Sequence, residues 1–441
     1  MDTTGIRNGL RGMGPGWLAG AIAAGPATIG SLVLAASFGY DLLWVVLLSA
    51  PAGFITLLLA ARLGTATEEG IVATVEDRLG DGWAWLLVAD TVIVSMVAQL
   101  LIMFTLATIS AQLFGFDVRL WGVAWAVVLA AGLAGGGYRV AEVGAKLIVT
   151  AVVLVFITTL VVVPPEPAAA VDGLVPASPV GAATAITGVL GGAVHVTLIT
   201  MHTYTMRARN WDAGDYALAK FDAGASMLAA FGLYSVTIFL VLAGTLGGQQ
   251  VAPTAGAAAA ALQPVVGPAA VTLFLVGILG AAVSTLGGNT VVPPFLLADK
   301  LGWGTTVEDP RYRGLLAATA LVSAAGAFVS GNFVQLLAQA LVIGAVGTPF
   351  ALALVLYLLH GDGTAGRPST ALTAGGLAVF AIVSVAAGNS VREMAVGLTE
   401  EVTAVGALSV AFAIAVAAAT VAIGVKFLVR QRESPAGEPA D

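Results

Sequence analysis

The sequence predicts an all-α integral membrane protein of about twelve spanning helices, with the first and sixth interrupted. Three observations predict it: a composition too apolar for water, a series of apolar runs long enough to cross a bilayer, and glycine- and proline-marked breaks inside two of those runs. Of the 441 residues, 59% are hydrophobic and only 10% charged, with a mean hydropathy of +0.98. A soluble domain carries roughly 25% charged residues, and a chain so far below that could not cover its own surface. A bilayer selects such a composition, because a charge at the centre of a spanning helix costs about 2.5–3.5 kcal/mol. The net charge of −7 argues against nucleic acid as a partner, which would need clustered Lys and Arg. There is no cysteine, which removes disulfides, thiolate metal ligands and cysteine nucleophiles.

A span needs about 20 mostly apolar residues. Such runs lie near 15–38, 42–61, 83–114, 119–137, 143–163, 180–206, 221–245, 268–298, 314–330, 333–359, 370–388 and 403–429. Arg7 and Arg11 lead into the first run with no small-residue cleavage site, so it reads as a spanning helix and not a signal peptide. With the N-terminus in the cytoplasm, only Arg119 and Arg392 of the 18 Lys and Arg fall outside, and both termini are then cytoplasmic. The chain reads as one transmembrane domain over 1–432, with a polar tail at 433–441 whose composition predicts disorder. The loops at 164–179, 246–267 and 388–402 are too short to fold alone, and the Ala-rich stretch 254–261 reads as an interfacial helix or a linker.

Two spans carry breaks. In the first, Ala23-Ala24-Gly25-Pro26-Ala27-Thr28 lies near mid-span. Pro26 has no amide hydrogen to donate, and Gly25 eases departure from helical geometry. A simple kink and a binding site both fit this pattern. In the sixth, Gly191-Gly192 precedes His195, Thr197, Thr200, His202, Thr203 and Tyr204, the densest polar cluster in any span. His195 and His202 share a face if that helix is continuous. An imidazole inside a membrane is by default a functional group, though a histidine bonded to a neighbouring helix would look the same. Corresponding breaks in two halves of a chain point to an inverted-repeat transporter site, where irregular backbone lines a protected cavity. Further polar residues within spans are Asp90 and Gln99 in the third and Gln339 in the tenth. Asp90 reads either as a structural partner or as part of a proton path.

At these breaks the sequence resembles the Nramp family of proton-coupled divalent-metal transporters. The resemblance rests on Gly14-Pro15-Gly16-Trp17-Leu18, Phe38-Gly39-Tyr40-Asp41-Leu42-Leu43-Trp44-Val45, Ala60-Ala61-Arg62-Leu63-Gly64, Gly137-Tyr138-Arg139 through Lys146, and the spacing from Gly191 to His202. It implies the leucine-transporter-like fold, an inverted 5+5 helix repeat, here about 15–163 and 180–359, with extra helices at about 370–429. The family's first break carries Asp-Pro-Gly-Asn, whose Asp and Asn bind the metal. Counting back from Gly39-Tyr40 places Ala24 and Ala27 there; a slip of one residue places Gly25 and Thr28 there. Neither register leaves a carboxylate. Aligning His202 with the second histidine of the family's sixth helix puts His195 at the metal-selective Met, Val196 at the Pro and Thr197 at the first His. Gly192 then stands where the family uses a backbone carbonyl.

The resemblance therefore implies a central site of Ala24, Gly25, Ala27, Thr28, Gly192, His195, Thr197 and Gln339. His195 is its metal ligand, and His202 and Asp90 act in proton movement or gating. A divalent ion stripped of water needs anionic or strongly polar ligands, and this set offers no fixed negative charge. A neutral imidazole suits Zn, Cu, Fe or Ni better than Mg or Ca. The expectation is a secondary carrier, proton-linked or facilitative, of divalent metal ions, with no bound cofactor and with the lipid bilayer as its surroundings. Two alternatives remain: a carrier of another neutral or anionic small solute on the same fold, and a non-transporting membrane sensor. Enzymatic and ATP-driven readings find no His-Glu-x-x-His, Gly-x-Ser-x-Gly or Walker motif.

Overall fold

The computed structural model describes residues 14–67, 69–162, 164–177, 179, 181–247, 255–329, 333–361, 367–400 and 404–433. Arg7, Arg11 and the tail from 434 onward lie outside the described residues. Among the described residues all regular structure is helical, and every apolar run becomes helix. We label the main helices α1 (Pro15–Phe38), α2 (Leu43–Ala66), α3 (Asp81–Phe114), α4 (Val118–Gly136) and α5 (Arg139–Val161). α6 has two halves, α6a (Ala183–Ala193) and α6b (Val196–Ala208). Then come α7 (Ala213–Leu246), α8 (Gly267–Lys300), α9 (Pro310–Val322), α10 (Phe333–Leu359), α11 (Thr370–Glu400) and α12 (Ala404–Glu433).

Four local features shape this frame. The helical assignment runs unbroken from Val118 to Val162. Yet a Cβ on Gly132 would lie 4.0 Å from Val140 Cγ1, where eight residues of straight helix rise about 12 Å. α4 and α5 therefore fold back on each other. α7 contains a π-helical segment, Gly224–Phe231, the kind of local widening that recurs at functional sites. Gly267, at φ 75°, separates α8 from the Ala-rich helix before it. α11 runs to Glu400, where the sequence reading ended a span at 388 and placed a loop. Its polar Asn389-Ser390 does not stop the helix, because the buried Ser390 hydroxyl donates to Thr187 Oγ1 of α6a at 3.0 Å.

α1 sits at the centre, packed against α5, α6a, α7 and α8. Its interior-facing Leu18, Ile22, Ala27 and Leu34 are buried in the main core. At the periphery Leu408, Val421 and Val385 are left open, as helix surfaces facing lipid are. Among the described residues nine helices are long and apolar enough to cross a membrane.

The expectation of a broken α1 is corrected: α1 is helical throughout Pro15–Phe38, across Gly25-Pro26. Side-chain hydroxyls brace the helix on either side of the proline. Thr285 Oγ1 of α8 donates to Ala21 O at 2.6 Å, Thr28 Oγ1 of α1 itself donates to Ala24 O at 2.7 Å, and Tyr234 Oη of α7 donates to Thr28 Oγ1 and lies 3.4 Å from Ala24 O. The carbonyl that Pro26 leaves without its helical donor is that of Ile22, which lies between the two carbonyls these bonds reach.

Candidate central site

α6 is the helix that breaks. Val194 (φ −120°, ψ 66°) and His195 (φ −100°, ψ 144°) leave helical geometry, and His195 is the N-cap of α6b. The break falls at the end of the expected Gly192–His195 interval, and Gly192 stays inside α6a. Gly191-Gly192 weaken the end of α6a, and β-branched Val194 and Val196 favour extended backbone. His195 O starts α6b by accepting from Leu198 N at 2.9 Å and Ile199 N at 3.1 Å. The His195 ring is almost fully enclosed at 8% exposure, and its Nδ1 lies 2.7 Å from Thr197 Oγ1. With Nδ1 donating to Thr197, Nε2 keeps its lone pair. That nitrogen faces α10 at Gly344, where an added Cβ would lie 3.0 Å away.

On the α1 side Ala24, Ala27 and Thr28 are buried. The Thr28 hydroxyl donates to Ala24 O and accepts from Tyr234 Oη. No hydrogen bond joins Thr28 to His195: the first turns to α7 and the second to Thr197. The side chains of Gly25's neighbour Pro26 and of Gln339 lie outside the described residues, as does Gly25 beyond its backbone. Asp90 of α3 is wholly buried, and neither carboxyl oxygen has a hydrogen-bond partner. It packs on Gly347 of α10, where a Cβ would come within 2.4 Å of Oδ2. His202 is buried on α6b, with Nδ1 3.3 Å from Thr205 Oγ1 and Nε2 without a partner. Among the described residues no group of three His, Asp or Glu could hold a metal ion.

Two residues that bear on the site, Tyr234 and Asp222, escaped the sequence reading, whereas Tyr204 stood in its polar cluster. Tyr234 closes α7 on α1 at Ala24 and Thr28. Asp222, fully buried at the start of α7, accepts from Gly14 N at 2.9 Å and Gly16 N at 2.5 Å, and so caps α1. Tyr204 Oη donates to Asp299 Oδ2 at 2.7 Å, tying α6b to the end of α8. The available signal for Asp222 was a carboxylate at the edge of an apolar run, opposite a Gly-Pro-Gly entry. Tyr204 also borders an open vestibule of about 1020 Å³, whose lining includes Thr65, Arg139, Arg207, Trp211 and Glu308.

A broken sixth helix beside a central first helix, with a buried polar site and a vestibule at one end, defines a membrane transporter fold of the leucine-transporter type. The chain belongs to the Nramp family: the model of the natural resistance-associated macrophage protein-like family matches residues 16–393. It is 28% identical over 299 residues to a divalent metal cation transporter MntH of Yersinia pestis, covering 64% of this chain and 73% of that protein. It is 26% identical over 373 residues to the MntH of Deinococcus radiodurans, covering 81% and 84%. Among solved structures, the manganese transporter of Eremococcus coleocola bound to an aromatic bis-isothiourea compound superposes with a TM-score of 0.77 at 16% identity, covering 98% of this chain and 97% of that one. Mhp1, a nucleobase-cation-symport-1 family transporter with bromovinylhydantoin bound, superposes with a TM-score of 0.55 at 18% identity, covering 97% and 95%.

Proposed function

We propose that this protein is a secondary transporter of the Nramp type that moves divalent metal ions through an altered central site. The observation that supports the reading is the α6 break at the buried His195, whose Nδ1 lies 2.7 Å from Thr197 Oγ1 and whose Nε2 has a lone pair for a metal in the tautomer protonated at Nδ1. Relatives named as divalent metal cation transporters support the cargo. In this reading Nε2 of His195 is the side-chain ligand. Ala24, Gly25, Ala27, Thr28, Gly192, Thr197 and Gln339 line the ion, which keeps part of its water shell because no carboxylate neutralises it. Asp90 and His202, buried with unpartnered polar atoms, are the groups that would exchange protons or gate. The repeats at about 15–163 and 180–359 would rock around this site, with the helices at about 370–429 outside them. Both termini would be cytoplasmic. Arg139 and Arg207 line the vestibule, so the positive-inside rule makes it the cytoplasmic mouth.

One observation favours a second reading, a carrier of a small neutral solute. The α1 wall of Ala24, Ala27 and Thr28 is uncharged, and the described residues contain no three-ligand cluster. Uptake into proteoliposomes of Mn, Zn, Co and Mg ions, with and without a pH gradient, tests the proposal. Saturable uptake of an imidazole-preferring ion supports it. No binding of any of them at millimolar concentration hands the site to the neutral-solute reading.

A further inference from the structure

At the end of the molecule that the positive-inside rule assigns to the cytoplasm, α10 packs against α12 and against the short helix Ile71–Leu79 between α2 and α3. His360, just past α10, sets its ring edge-on to Phe427 of α12 at 5.3 Å. A Cβ on Gly361 would lie 2.9 Å from Arg430 Nη1 and 3.3 Å from Arg78 Nη1, so two guanidinium groups crowd one point. A third is near: burial first, and the charge of Arg367 with it, holds the His360 imidazole below its ordinary value. Lys426 lies one turn before Arg430 on α12, and Arg432 follows it at the helix end. Among the described residues Arg367, Lys426, Arg430 and Arg432 form no ion pair. On the short helix Glu76 pairs with Lys300, and Asp77 hydrogen-bonds Glu69. The end of α10 accounts for only part of the gathered charge. Its last carbonyls carry about half a negative charge, and Arg430 Nη1 donates to Tyr357 O among them at 3.5 Å. The side chains of Asp362 and Glu433 lie outside the described residues, and their two charges would still leave the five cations in surplus.

We propose that this corner binds the phosphate headgroup of one anionic phospholipid, whose acyl chains lie along α12. Guanidinium groups present a planar fork of donors that fits phosphate oxygens, and Lys426 adds a point charge. Basic pockets between helices on the cytoplasmic side of a membrane are suited to such headgroups. The outer face of α12 matches the other half of the ligand. Val421, Val425 and Leu428 are each more than half exposed. They share one face with Arg432, because the steps between them are three or four residues. From Val421 to Arg432 the helix rises about 16 Å, the depth of one leaflet in a bilayer whose hydrocarbon core is about 30 Å thick. An apolar stripe of that depth, ending among cations, has the shape and charge of a lipid; a free phosphate ion would leave the stripe unused. A lipid bound there would neutralise the crowded like charges and tie α10 to α12, so it would stabilise the folded chain by mass action.

Gly344, which faces His195, lies about 24 Å along α10 from this corner, so the site is independent of the metal-transport reading. The test is thermal unfolding of the purified full chain in a neutral detergent, with dioleoyl phosphatidylglycerol, dioleoyl phosphatidylcholine or sodium phosphate added at matched ionic strength. The expected result is a saturable rise in melting temperature of about 2 °C or more with the anionic lipid and none with the other two. Arg367 and Lys426 are exposed, so the double variant Arg367→Gln, Lys426→Gln folds. It should need about tenfold more anionic lipid for the same rise. A control, Lys220→Gln with Arg313→Gln, removes the same charge from exposed positions elsewhere on that side and should respond as the parent does. Equal responses of the parent to the two lipids would overturn the proposal. So would an undiminished response in the Arg367, Lys426 variant, or an equal loss in the control, which would leave only a diffuse surface charge. A rise with sodium phosphate equal to that with the anionic lipid would give the corner to a free anion and overturn the lipid. The readout is lipid binding, so its failure leaves metal uptake a separate question.

Discussion

α1 and α6a pack against each other and each carries glycine at mid-span, yet α6 opens over Val194–His195 while α1 stays helical through Gly25-Pro26. α1 has the stronger local breaker. An interior proline costs about 3 kcal/mol in an isolated helix, and two β-branched residues cost far less. What differs is the supply of partners. Around α1, hydroxyls of Thr285 and Tyr234 reach in from α8 and α7 to the carbonyl of Ala21 and the hydroxyl of Thr28. Each such bond contributes about 1 kcal/mol to holding α1 in place on either side of the proline. At α6 the local chemistry favours opening: His195 begins a new helix with its own carbonyl, and Thr197 takes its ring nitrogen. A breaker residue thus marks where a helix can open, and the packing around it differs between the helix that opens and the one that does not.

The two helices should differ most in function at His195. If the open α6 segment is the working part of the site, His195→Ala should lower metal uptake at least tenfold, in line with the roughly 10–100-fold penalties of even outer-shell changes at metal sites. The melting temperature should move little. Uptake equal to the parent's would mean that the break serves backbone geometry only. The next largest effect should come from Asp222→Ala. Its carboxylate caps the start of α1 through Gly14 N and Gly16 N, and losing a cap costs about 0.5–2 kcal/mol. Denaturation should show that loss, and amide exchange over the first turns of α1 should quicken. Unchanged exchange there would assign α1's continuity to its mid-span partners alone. Tyr234→Phe removes one of those partners at a cost of about 1 kcal/mol. Exchange should then quicken around Thr28 while the α1 N-terminus stays protected.

Sequence made the membrane class, the run of spans and the position of the α6 break legible, because hydropathy and Gly-Gly before a polar cluster are local signals. Val194 and His195 both lie within or beside the expected interval. The continuity of α1 was not legible, since its hydroxyl partners sit roughly 210 and 264 residues away. Tyr234 and Asp222 were missed for the same reason: each acts on a segment more than 200 residues distant. The end of α11 was misread because the apolar run ends at 388, while the Thr187 hydroxyl that receives the buried Ser390 is 203 residues away.

The smallest expected effect concerns a second helix start, which contrasts with that of α1. α9 is capped locally: Asp309 accepts from Arg311 N at 2.9 Å and from Gly304 N at 3.0 Å, and pairs with the Arg311 guanidinium at 2.8 Å. The Arg311 side chain first, then its backbone amide, holds the Asp309 carboxyl well below the usual carboxylate range. A depressed carboxyl contributes its stabilisation above the unfolded-state value and loses it as pH falls through the folded one. Between pH 5 and 8 the cap should therefore be fully formed and indifferent to pH, and only strong acid should open it. Asp309→Asn keeps an acceptor oxygen and gives up the charge, so its effect should be slight, because a part-exposed ion pair contributes little. Amide exchange at Gly304 and Arg311, compared at neutral and acid pH in parent and variant, checks this. A marked loss of α9 protection in Asp309→Asn at neutral pH would show the local cap to be as important as the buried one at α1.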